Sequence, residues 1–143
     1  MKISATQDVV HWEAAAAAVA AAAHWADEAS IKVNIAVVDA SGNLAAFLRM
    51  PGAFLHSIDI AIDKAYTAAG FGVSTSAWTE SLATHSPAVR QGIPMRPRMV
   101  CFGGGLPLRH EAQLIGGIGV SGGSEEQDEA CARAGLAAIG LSN

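Results

Sequence analysis

The chain has 143 residues, 51% of them hydrophobic and only 15% charged, with a formal charge of −4. That length supports one domain, residues 1–143, with a core of its own. Nine Lys and Arg with no long basic run argue against a nucleic-acid backbone as partner.

Ser4-Ala-Thr-Gln7 has the form of a capping box and predicts a first helix running from there to about Ala29. Its alanine-rich run, 14–23, is flanked by His11, Glu13 and His24 and is too short to span a bilayer. Met1-Lys-Ile-Ser-Ala-Thr is polar by Ser4 and does not read as a secretory signal, so the expected location is cytoplasmic and no membrane partner is expected. Alanine favours helix but buries little area, so close helix packing is the expected use of this surface. Lys32–Asp39 and Leu44–Met50 read as two strands joined through Asp39-Ala-Ser-Gly-Asn43 into a hairpin. Leu55 to about Ala69 has helical period, with Leu55, Ile58, Ile62, Tyr66 and Ala69 on one face and His56, Asp59, Asp63 and Thr67 on another. Ser74 or Ser76 can cap a shorter helix to about Thr84. An irregular stretch follows from Ser86-Pro87 to Pro97, carrying Arg90, Arg96 and Arg98. Strands are expected near Met99–Phe102, Leu106–Leu108 and Gln113–Val120. Ser124-Glu-Glu-Gln127, a second capping box, opens the final helix. Cys101 and Cys131 lack metal-ligand spacing and read as free thiols. Hairpins on both sides of a helical insertion predict an α+β fold with an antiparallel sheet covered by helices.

Two glycine-rich segments carry the chemistry. FGGGLPL (102–108) and the Gly-Val-Ser121-Gly-Gly turn both expose backbone N–H groups, and the second meets a helix N-terminus, an arrangement suited to an anion. The alternative is that the glycines only make tight turns. Glu125, Glu126 and Asp128 would oppose an anion at Gly122-Gly123, which favours the GGGLP loop, with Gly104 and Gly105, as the ligand contact. Arg49 and Lys64 stand out because cations are scarce, and a paired Arg and Lys would hold a carboxylate well. A structural ion pair of Arg49 with Asp39, Asp59 or Asp63 is the competing reading. None of the histidines His11, His24, His56, His85 and His110 pairs at i,i+4, which argues against a preformed zinc site. His56 lies at the start of the helix that carries Lys64, one turn from Asp59, and is the preferred general base or metal ligand. His110 beside Glu111, and His85, read as loop residues.

VVDASGNLAAFLRMPGA (37–53), IDKAYTAAGFG (62–72), GGGLPL and GGIGVSGGSEEQDEACA occur in order, and the chain from about Ala14 to Leu136 resembles the GlcG/HbpS heme-binding-like family, which includes the C-terminal domain of PduO. The resemblance implies a profilin-like three-layer α/β/α sandwich on a five-stranded sheet. It implies a small homo-oligomeric ligand-binding protein for heme or another carboxylated tetrapyrrole, with propionates at Arg49, Lys64 or loop amides and His56 at iron. The high apolar content also predicts a homo-oligomer, because apolar surface beyond one core goes into interfaces. An alternative is a cofactor-free tautomerase, dehydratase or lyase for a small organic acid, with Arg49 and Lys64 on the carboxylate and His56 shuttling a proton. A structural subunit without chemistry is the third.

Overall fold

In the computed structural model, which describes residues 1–142, the first helix starts later than its capping signal. Helix α1 spans Trp12–Glu28, capped by His11, whose Nδ1 accepts the Glu13 amide at 3.3 Å. The Ser4–Gln7 box lies outside it. Val10 is buried there, and its amide donates to the Ile115 carbonyl at 2.9 Å, a tertiary bond that competes with continuing the helix.

Strands β1 (Asn34–Asp39) and β2 (Leu44–Arg49) form the expected hairpin. The Asp39 carboxylate accepts the amides of Ser41 and Asn43, and Gly42 supplies the left-handed residue at φ 84°. Helix α2 (Ser57–Phe71) ends on Gly72, also left-handed. A 3₁₀ turn at Thr75–Ala77 leads into α3 (Trp78–Ala83). The stretch expected to be irregular holds α4 (Pro87–Gly92), with Ser86 as cap and proline at its first turn, and a further 3₁₀ turn at Ile93–Met95. Strands β3 (Gly105–His110) and β4 (Gln113–Ser121) precede α5 (Glu125–Ala138). The Ser124–Gln127 capping box closes from both sides, as expected.

Among the described residues the sheet has four strands, not five, in the order β2-β1-β4-β3, with every pairing antiparallel. The segment expected as a strand near Met99–Phe102 is not one because side chains take its backbone groups. The Thr67 hydroxyl donates to the Arg98 carbonyl and accepts the Val100 amide, and Glu125 accepts the Gly103 amide. Arg98 at φ 64° and Gly104 at φ 121° bend the chain at both ends of this stretch. No ladder partner can use a backbone so occupied.

Alternation along the strands divides the interior in two. Ile35, Val37, Leu106, Leu108, Ile118 and Val120 face α1 and α5, while Ala36 and Val38 face α2. The alanines of α1 do pack closely: Ala15, Ala18, Ala22 and Ala26 are buried, and a Cβ on Gly135 of α5 would meet the Ala18 carbonyl. On the opposite face α2 lies directly on glycine. A Cβ at Gly117 or Gly119 would strike the carbonyls of Ala65 and Ala61, so these positions let the helix backbone touch the sheet. This rotates the buried face from the one read from the sequence: Ala69 is buried and Ile62 packs against the core as expected, but Thr67 is buried too. Ala61, Lys64, Ala65 and Ala68 point inward, while Leu55 and Tyr66 are exposed.

Candidate functional site

Lys64 is the largest fully buried side chain. Its Nζ donates to the Val120 carbonyl at 2.8 Å and to Asp128 Oδ2 at 2.9 Å, and the Phe102 ring lies over it with its centroid 5.1 Å away. The side chain therefore passes the end of the sheet, from α2 on one face to α5 on the other. Asp128 Oδ1 also accepts the Gly123 amide at 2.8 Å. Burial lowers the Lys64 pKa, and the Asp128 carboxylate partly opposes that shift. Gly104 and Gly105 do surround Lys64, as the sequence suggested. A Cβ on Gly104 would lie 2.6 Å from Nζ, and one on Gly105 would lie 2.6 Å from the Lys64 carbonyl. The partner, however, is a carboxylate of the protein itself. Asp128 takes the place expected for a ligand's acid group.

The cleft beside this loop also differs from expectation. It holds about 410 Å³, and its wall carries Glu125, Glu126 and Glu129 against one guanidinium, Arg133. An acidic wall does not select anions. At the N-terminus of α5 the amides of Gly123, Ser124 and Gln127 are bonded to Asp128, Gln127 and Ser124 side chains, so local groups fill the anion position.

Arg49 lies at the same end of the strands as the Lys64 contacts, but on β2, at the edge of the sheet away from β3. In register, Arg49 lies opposite Asn34 and Asn34 opposite Ser121, and alternation puts all three on the α2 side. The Arg49 guanidinium donates to the Ala53 carbonyl at 2.8 Å and makes no carboxylate pair among the described residues, so the competing reading of an ion pair with Asp39, Asp59 or Asp63 is not met, and Asp63 pairs with Arg98. Asn34 donates to the Phe54 carbonyl at 3.1 Å, while its Oδ1 is buried with no hydrogen-bond partner among the described residues. Ser121 is buried beside it in the row. Next along the chain come Phe54 and Leu55, 69% and 73% exposed, then exposed His56 at the N-cap of α2 with no side-chain cap bond. Arg49, Asn34, Ser121 and the Phe54–His56 segment thus share one corner. Lys64 is more than two turns from His56 along α2, while its Nζ reaches the Val120 carbonyl, one residue before Ser121.

The remaining histidines divide by environment. His85, on the exposed connection after α3, donates from Nδ1 to the Ser81 carbonyl, and His110 ends β3. Among the described residues no three His, Cys, Asp or Glu side chains converge to hold a metal ion. Both cysteines are free, and among the described residues no helix is long and apolar enough to cross a membrane. Asn34, Phe102 and Asp128 were not singled out as site residues from sequence. Asn34 left one signal, a lone amide opening a Val/Ile strand. The Lys64–Asp128 pair, 64 positions apart, left none.

A family model described as "Haem degrading protein HbpS-like" matches residues 10–137. The chain belongs to the HbpS-like family. Within it, the corrinoid adenosyltransferase PduO of Citrobacter freundii is 38% identical over 116 residues, covering 81% of this chain. This chain spans only about a third of that protein's length, 35%. Among solved structures, Klebsiella pneumoniae protein ORFY superposes with a TM-score of 0.89 at 32% identity, covering 100% of this chain and 99% of its own. The PduOC:heme complex superposes with a TM-score of 0.83 at 31% identity, covering 91% of this chain and 94% of its own. The resemblance read from the glycine motifs is therefore correct, and heme binding is a property found within the family.

Proposed function

We propose that this protein binds heme or another carboxylated tetrapyrrole, as a homo-oligomer, at the corner formed by Arg49, Asn34, Ser121 and the Phe54–His56 segment. The observation that carries the reading is the near full-length likeness to a domain crystallised with heme. The chemistry of the corner supports it. Phe54 and Leu55 offer exposed apolar surface for a flat ring, and His56 has an imidazole that no cap bond occupies. Arg49 spends one donor on the Ala53 carbonyl and keeps the rest of its fork for a propionate. His56 would hold the iron of a heme bound there, and the heme would supply a redox-active centre.

Lys64 and the GGGLP loop enter this reading as support for the frame, because the ammonium already has a carboxylate, a carbonyl and an aromatic face. The small-acid enzyme needs the Lys64 ammonium for a substrate carboxylate, and the engagement of that ammonium by Asp128 and the Val120 carbonyl favours the heme reading over it.

Hemin titration of His56→Ala and Arg49→Gln tests the site. His56→Ala is expected to move the Soret maximum and weaken binding. Arg49→Gln is expected to weaken binding by roughly tenfold, the equivalent of one charge-assisted bond, without moving the maximum. Unchanged spectra and affinities in both would remove this corner from the site.

A further inference from the structure

A second cleft, of about 520 Å³, lies remote from that corner, between the chain leading into α1, the β3–β4 turn and the residues after α5. Its floor is aliphatic: Val10, Ile115, Ile139 and Leu141 belong to or pack against the main core, so the floor is continuous with it. Its rim is charged with one sign. Asp8 and Glu111 line it, Glu13 stands 3.9 Å from His11 Nδ1, and no Lys or Arg lines it. Arg109, next to the rim in sequence, is turned away and donates to the Gly72 carbonyl at 2.9 Å.

Two imidazoles complete the rim, and only one is committed. His11 Nδ1 accepts the Glu13 amide, so in the neutral ring the proton sits on Nε2, which is left as a donor. The β3–β4 turn that carries His110 and Glu111 is held at a cost. Glu111 and Ala112 are both left-handed, at φ 49° and 64°, in a two-residue turn that ordinarily takes Asn-Gly. Such strain persists where the surrounding fold fixes it, and here it sets Glu111 at the cleft mouth.

We propose that this cleft binds a small organic cation, an ammonium group on an aromatic or branched aliphatic body. The body fills the aliphatic floor, and the ammonium meets Asp8 and Glu111. Anionic ligands, heme propionates among them, are disfavoured by the same carboxylates. A metal ion does not fit, since no three donor side chains converge there. This site is separate from the proposed heme corner and does not depend on it.

The test is an NMR titration of the histidine imidazoles with 2-phenylethylamine, and with phenylacetate and 2-phenylethanol as the anionic and neutral counterparts. The amine is expected to shift His11 and His110 saturably and to bind tighter than the alcohol, and the alcohol tighter than phenylacetate. Asp8→Asn/Glu111→Gln, both at exposed positions, should weaken the amine roughly fivefold and leave hemin titration unchanged. Phenylacetate binding as well as the amine, shifts confined to other histidines, or an amine affinity unaffected by the double substitution would each overturn the proposal. The preference among the three probes is read on the unaltered chain, so it decides even if the variant folds poorly.

Discussion

At Lys64 a buried ammonium and a buried carboxylate meet with side-chain exposures of 1% and 4%. Removing one partner of such a pair leaves the other charge unpaired in a low-dielectric site, which costs about 3–5 kcal/mol. Lys64→Met is therefore expected to lower the unfolding free energy, read from urea titration, by an amount in that range, and adding Asp128→Leu should recover much of it. A near-neutral Lys64→Met would mean that the pair does not hold α2 to α5. Sequence made Lys64 conspicuous by the scarcity of cations. It could not show that Asp128 was the counter-ion, because only the folded chain brings them together. Cys131 provides a second check. Burial and, second, the Asp128 charge push its thiol up to about 12, against 9.0 for a free thiol. Because the folded state holds this proton more tightly, the contribution to stability is complete below pH 9.0. It is lost as pH rises toward about 12. Unfolding free energies measured across that window should fall less steeply for Cys131→Ala than for the parent. Equal slopes would show that this thiol does not titrate as its burial requires.

The contact between α2 and β4 shows where pattern reading works and where it stops. Turn chemistry was legible, and so was one of the two capping boxes: the Asp39–Asn43 turn and the Ser124–Gln127 box form as local rules require, while the Ser4–Gln7 box caps nothing because α1 starts at Trp12. The buried face of α2 was not. Hydrophobic period pointed to Leu55 and Tyr66, but Gly117 and Gly119 draw the backbone so close that only small side chains fit beneath it. A fifth strand near Met99–Phe102 was misread for a related reason, since Thr67 and Glu125 from distant elements occupy its backbone. Two substitutions separate these effects. Gly119→Ala is expected to destabilise by about 3 kcal/mol, at the upper end of ordinary overpacking, because the new methyl meets helix backbone rather than a movable side chain. Gly70→Ala, in the same helix but with nothing near its added Cβ, should stabilise by up to about 1 kcal/mol. Thermal midpoints moving the same way in both would count against the close-approach account.

For the whole molecule, the fold class and family were legible from four ordered motifs, while the corner that gathers Arg49, Asn34, Ser121 and His56 required the strand register. Trp12 and Met95 are exposed apolar residues outside the proposed heme corner. The homo-oligomer proposed above predicts a light-scattering mass above that of one 14.6 kDa chain at micromolar concentration. A monomeric mass would remove it. Hemin titration of the unaltered protein, followed by absorbance, tests the proposed function most directly. The account predicts a saturable Soret shift with fixed stoichiometry and iron that is at least partly high-spin, as expected when one imidazole is the only committed protein ligand. A titration that superposes on free hemin at every concentration would contradict it.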